Sequence, residues 1–163
     1  DEIIEKFDLG YDKKTQCVTF HVTDEKGRCL FVARRSVKTK FFNYPPDTQK
    51  PVYGMYQILN DRAFDEVIVC ESFFNALSCW VWGRPAVALL GTGTPYQYEQ
   101  LKRSPIRKFI TAFDPDEAGE KASQRFYREL KDFKIVTRFK IPPPKDINDL
   151  TEEEFRSLEE FYF

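Results

Sequence analysis

The chain has 163 residues, 42% of them hydrophobic and 16% aromatic, and its 25 basic and 26 acidic residues leave a net charge of −1. This apolar content excludes a disordered polymer and bounds the chain to one domain or two small ones, while the balanced charge excludes a globally basic nucleic-acid binder and leaves only local basic patches. No apolar run approaches the roughly 20 residues needed to cross a bilayer, so no membrane role is expected.

Four cysteines (Cys17, Cys29, Cys70, Cys79) form no C-x-x-C pair, and His21 is the only histidine, so a structural zinc site is not expected. Cys70 and Cys79 lie in apolar surroundings and read as buried free thiols of a cytoplasmic protein. The start is acidic and has no apolar signal-peptide core. Without an initiating methionine, and with an ending of Phe161-Tyr162-Phe163, the chain reads as a fragment of something longer. Some of its 16 phenylalanines are expected to face the remainder.

In chain order, residues 16–23 alternate apolar and polar as a half-buried strand does. Asp24-Glu25-Lys26-Gly27 is a turn, residues 28–34 are a second strand, and the pair reads as a hairpin. Lys38, Lys40 and an aromatic group (Phe41, Phe42, Tyr44) follow, and Pro45, Pro46 and Pro51 break further regularity. From residue 66 the texture changes to alternating strands and helices: strand 66–70, helix 72–82 capped by Ser72, strand 85–90, helix 95–103 opened by Pro95, strand 107–113, helix 116–130 and strand 134–141. Such alternation implies right-handed crossovers and a mainly parallel sheet. The expected fold is therefore α/β, with a small β-rich lobe (1–60) followed by an α/β lobe (61–163) that ends in a helical tail.

In an open parallel sheet, chemistry sits at the carboxyl ends of the strands. Glu71 follows one strand, and Asp114 and Asp116 follow another. Carboxylates that converge without basic partners repel one another unless a cation neutralises them, and hard oxygen ligands suit Mg²⁺ or Mn²⁺. Taken singly, each has a plainer reading: Asp116 and Glu117 as the ordinary acidic start of a helix, Glu71 as a solvated loop residue. The case rests on the strand ends together, and on a third acidic group, Asp146 and Asp149, which could also simply cap a short helix. The turn at residues 89–94 adds Gly91 and Gly93 at another strand end, where a plain βα turn is the simpler reading.

The stretches VIVCESFFNALS, ALLGTGT, FITAFDPDEAGEKA and KDINDL, in this order, resemble the TOPRIM domain shared by DnaG-type primases, topoisomerases and some nucleases. DPDEAGEKA is similar to the primase version (D-x-D-E-A-G-x-x-A). VTFHVTDEKGRCLFVARRSV and KFFNYPPDTQKPVYGMYQI resemble the lobe that precedes TOPRIM in bacterial and phage primase cores. The resemblance covers roughly residues 16 to 150. It implies that Glu71, Asp114 and Asp116 are catalytic and, with Asp146, hold Mg²⁺ or Mn²⁺. It also implies that Arg34, Arg35, Lys38, Lys40, Asn43 and Lys50 contact template or nucleotide. The aromatic group could stack on bases or simply pack in the core. Two positions depart from the family's E-G-x-x-D: Ser72 adds a side chain where glycine is usual, and Asn75 replaces an acid.

The implied activity is synthesis of short RNA primers from ribonucleoside triphosphates on single-stranded DNA, with a replicative helicase or other replisome protein as partner. A TOPRIM nuclease and a non-catalytic nucleic-acid-binding scaffold are the alternatives.

Overall fold

The computed structural model describes residues 1–39, 42–45, 48–61 and 64–163, apart from the side chains of Phe42 and Asn43. The chain opens with a five-residue helix α1 (Glu2–Lys6), followed by β1 (Gly10–Asp12), β2 (Cys17–Thr23), β3 (Cys29–Ser36) and β4 (Phe42–Asn43). These four strands form an antiparallel sheet in sequential order. The β2–β3 hairpin is the one expected, and Gly27 supplies its positive φ of 84°. Helix α2 (Met55–Asp61) leads to the second sheet, built from β5 (Glu66–Cys70), α3 (Phe73–Val81), β6 (Ala86–Ala88), α4 (Pro95–Arg103), β7 (Lys108–Thr111), α5 (Glu117–Leu130) and β8 (Ile135–Phe139). After a 3-10 turn (Ile147–Asp149) and α6 (Glu152–Arg156), β9 (Glu160–Tyr162) closes the edge.

The second sheet has the order β6-β5-β7-β8-β9, parallel except for β9, which runs antiparallel to β8. The chain goes from β5 to β6 on one side and then crosses to β7 on the other. The strand order thus reverses beside β5, where open α/β sheets form their sites.

Local chemistry explains the boundaries. Ser72 caps α3 by accepting the Asn75 N–H. Thr94 and Gln97 form a reciprocal capping box on α4, with Pro95 in its first turn. Three strands of the second sheet, β6, β7 and β8, are shorter than the sequence suggests. β7 stops at Thr111: Ala112 gives one last bond to the Val69 carbonyl (2.8 Å), and Phe113 then packs on Phe126. β6 stops at Ala88, and Leu90 takes a positive φ of 57° where the chain bends away. The tail is also not purely helical, because β9 adds a strand. Its three residues are too few for an alternation to be read.

The two sheets share one continuous buried core. Helix α3 lies between them, with Phe73 stacked on Phe20 at 4.2 Å and edge-on to Tyr53 at 4.7 Å. Tyr53 also exchanges both backbone hydrogen bonds with Ala88, extending the second sheet past β6. Buried Gln97 donates to the carbonyls of Pro51 and Leu89, and Gln100 accepts the Val52 N–H, so α4 fastens the inter-sheet segment. Cys70 and Cys79 are buried free thiols, as expected. Among the described residues no helix is long and apolar enough to cross a membrane.

Candidate metal centre

The acidic residues gather at the carboxyl edge of the second sheet. Glu71 directly follows β5. Its Oε1 accepts the backbone N–H of Asp114 at 2.8 Å, which ties the turn after β7 to the end of β5. Asp116 is the N-cap of α5 and accepts the Gly119 N–H at 2.7 Å. Asp146 caps the 3-10 turn by accepting the Asp149 N–H, and Asp149 accepts the Asp146 N–H in return, both at 3.0 Å. The capping readings of Asp116 and Asp146 are thus both realised. Capping engages one oxygen of each carboxylate.

Electrostatics shows that the acids feel one another. Burial pushes the Glu71 carboxyl up to about 7, against the Asp114 N–H bond, and the charges of Asp114 and Asp116 add to the rise. Asp114 is raised by burial and then by Asp146 and Asp116, with the Asn75 amide opposing. Asp146 is raised by burial and by Asp149. Among the described residues, however, no three acidic, histidine or cysteine side chains already converge on a metal-binding point. The donor set fits a hard divalent cation in chemistry and mutual repulsion, without forming a closed cage.

Beside this edge lies a cavity of ≈ 410 Å³. Asp114 and Asp116 line one wall, with Arg138 and Lys140 of the β8 end among the other lining residues. Arg138 is paired with Glu120 of α5, and this bonding holds the Glu120 carboxyl down at about 2. A larger cavity of ≈ 760 Å³ opens between α1 and α3 but contains none of the candidate ligands, so the chemistry favours the smaller one.

Among the described residues, the basic candidates Arg34, Arg35 and Lys50 have different surroundings. Strand alternation sends Arg34 and Arg35 to opposite faces of β3. Arg34 lies 3.8 Å from Asp12, whereas Arg35 covers the ring of Phe74 on α3. Lys38 is exposed in the turn after β3. Lys50 does reach the sheet edge, donating to the Leu90 carbonyl at 3.0 Å while lying over Tyr44. Tyr44 itself packs against Phe31 and Phe73 in the core. Lys40 and Phe41, with the side chains of Phe42 and Asn43, fall outside the described residues; the Asn43 backbone pairs with Arg34 in the sheet.

Three contributors escaped the sequence reading. Arg125 of α5 clamps the glycine-containing turn, donating to the carbonyls of Thr92 (2.6 Å) and Gly93 (3.0 Å) and to the Tyr98 hydroxyl (2.9 Å). Asn75, read only as a missing charge, bridges Asp114 to the turn that carries Asp146. Gly119 permits a close approach that no other residue would, and a glycine inside an otherwise good helix was the available signal.

The Toprim-like family pattern matches residues 68–151, which contain all four candidate ligands. The chain belongs to the Toprim-like family. It is 30% identical over 167 aligned residues to the DNA primase of Pseudomonas aeruginosa, an alignment covering 93% of this chain and 25% of that protein. The chain thus spans about a quarter of the length of the curated relatives it matches. Among solved structures, it superimposes on a DnaG primase catalytic domain bound to ssDNA with a TM-score of 0.80, covering 96% of this chain and 66% of that one at 20% identity. It also superimposes on the primase fragment of the bacteriophage T7 primase-helicase protein, with a TM-score of 0.67 and 20% identity over 91% of this chain and 64% of that one. These likenesses extend across both sheets and establish the shared fold.

Proposed function

We propose that this chain is the catalytic segment of a DNA primase, which makes short RNA primers on single-stranded DNA by metal-dependent nucleotidyl transfer. The observation that carries the reading is the alignment with a DNA primase along 93% of the chain, the β-rich lobe and the acidic edge together. A nuclease or scaffold built on the second sheet alone would leave the first lobe without a task. The division into lobes 1–60 and 61–163 belongs to this reading, although the two share a core.

Glu71, Asp114, Asp116 and Asp146 would hold Mg²⁺ or Mn²⁺. When bound, the ion would neutralise phosphate charge during phosphoryl transfer. The protein's own part is positioning. Glu71 fixes the turn that carries Asp114 through one backbone bond, and the caps at Asp116 and Asp146 hold their carboxylates at the N-terminal ends of α5 and of the 3-10 turn. Arg34, Arg35, Lys38, Lys40, Asn43 and Lys50 would contact template phosphates or the nucleoside triphosphate. The helicase or other replisome partner belongs to the whole protein.

The direct test supplies labelled ribonucleotides, Mg²⁺ or Mn²⁺ and single-stranded DNA, beside a labelled DNA that reports cutting. Short RNA products are expected. Cutting without synthesis would replace this reading with that of a nuclease.

Stability should report the acidic cluster independently. An unfolded glutamate titrates near 4.5 and folded Glu71 near 7, so between these values the folded state binds the extra proton. Stability contributed by this group therefore falls as pH rises through that window, and the full cost is present above it. The thermal midpoint of metal-free protein should drop more between about pH 5 and about pH 8 than that of Glu71→Gln. Millimolar Mg²⁺ should recover part of the drop at the higher pH only. A wild-type profile that matches Glu71→Gln and ignores Mg²⁺ would remove Glu71 from the site.

The template path is tested by salt. Changing Lys38 and Lys40 to glutamate should weaken single-stranded DNA binding and flatten its dependence on log salt by about 0.7 for each phosphate no longer neutralised. An unchanged slope would move the path elsewhere.

A further inference from the structure

The geometry points to Asn75 as the positioning residue that fixes Asp146 relative to Asp114, by anchoring the turn at residues 145–150 to helix α3. This rests on the metal-site reading only in so far as Asp146 serves that site.

Asn75 is 1% exposed and lies in the first turn of α3, where its backbone N–H is held by the Ser72 cap. Its amide faces two ways. Nδ2 donates to Asp114 Oδ1 at 3.4 Å, a long bond, while Oδ1 accepts the backbone N–H of Asn148 at 3.0 Å. The amide orientation follows from these partners, since the reverse would set an oxygen against a carboxylate and an NH₂ against an N–H. Three residues further along the same helix face, Ser78 Oγ donates to Asn148 Oδ1 at 2.9 Å. Asn148 is thus held twice.

The turn that Asn148 belongs to is stiff. Asp146 and Asp149 bond reciprocally around it, and Ile147 is fully buried. Fixing Asn148 therefore fixes Asp146, two residues before it. The same amide that sets this turn also touches Asp114. A carboxylate at position 75 could accept from Asn148 but would turn a like charge on Asp114. An alanine could do neither and would leave the Asn148 N–H without its acceptor. An amide meets both demands in this chain.

The test uses the full chain and two readouts. In metal-free protein, Asn75→Ala should speed amide exchange at residues 146–149 by about 10-fold or more. In a Mn²⁺ titration followed by electron paramagnetic resonance, it should weaken binding about 10-fold. Asn75→Asp keeps the acceptor and should restore slow exchange at Asn148. Should Asn75→Ala not fold, Ser78→Ala should give a smaller increase in exchange confined to the same turn. Unchanged exchange in both Asn75→Ala and Ser78→Ala would overturn the anchor. Faster exchange with unchanged Mn²⁺ affinity would overturn its bearing on the site. A wild-type protein that binds no Mn²⁺ would overturn the metal reading itself, and the exchange data would still decide the anchor.

Discussion

Asp116→Asn should lower nucleotide incorporation about 100-fold or more while leaving the thermal midpoint almost unchanged. The separation is possible because Asp116 has two tasks that depend on different properties. As N-cap of α5 it needs only an oxygen to accept the Gly119 N–H, and asparagine caps about as well as aspartate. As a candidate ligand beside Asp114 it needs a negative charge, which asparagine lacks. Asp116→Ala removes both and should also cost about 1 kcal/mol of stability. The pair is read by labelled-nucleotide incorporation on single-stranded DNA and by thermal denaturation. Incorporation retained in Asp116→Asn would reduce Asp116 to a cap. Losses of midpoint and incorporation that run in parallel through both variants would make the effect structural.

The dual use of caps explains how much of the site was legible. The alternation of strand and helix from residue 66 onward placed Glu71, Asp114 and Asp116 near one edge because a parallel sheet leaves its carboxyl ends on one side. Strand β5 came out at its expected bounds because so short an apolar run suits a strand buried on both faces better than a helix. What could not be read was contact between distant segments. Asn75 lies 73 residues from Asn148 and 39 from Asp114, and nothing in the spacing says that one amide touches both. The separation of Arg34 from Arg35 has a simpler reason. Arg34 and Arg35 are adjacent in sequence, and adjacency in a strand separates side chains to opposite faces. The short elements α1, β1, β4 and β9 span five residues at most, too few for a period to show.

Gly119→Ala should destabilise the protein by about 3 kcal/mol, or prevent folding, and should remove activity beyond what the stability loss explains. Propensity argues the other way: in a helix interior this change is normally worth about 1 kcal/mol of stabilisation. Geometry decides the sign. A Cβ at position 119 would lie 1.9 Å from the Asp114 carbonyl oxygen and 2.9 Å from its carbon, and both are backbone atoms. They cannot swing aside as a side-chain tip can. The displacement would pass directly into the acidic edge, because the Asp114 N–H is the group that Glu71 holds and its carboxylate is the one that Asn75 touches. The glycine of DPDEAG is therefore where the first turn of α5 and the turn after β7 are pressed together. A net loss of this size should lower the thermal midpoint by roughly 6–12 °C. A variant as stable as the wild type, or more so, would show that helix propensity outweighs the close approach, and that Asp114 is free to shift without cost to the fold.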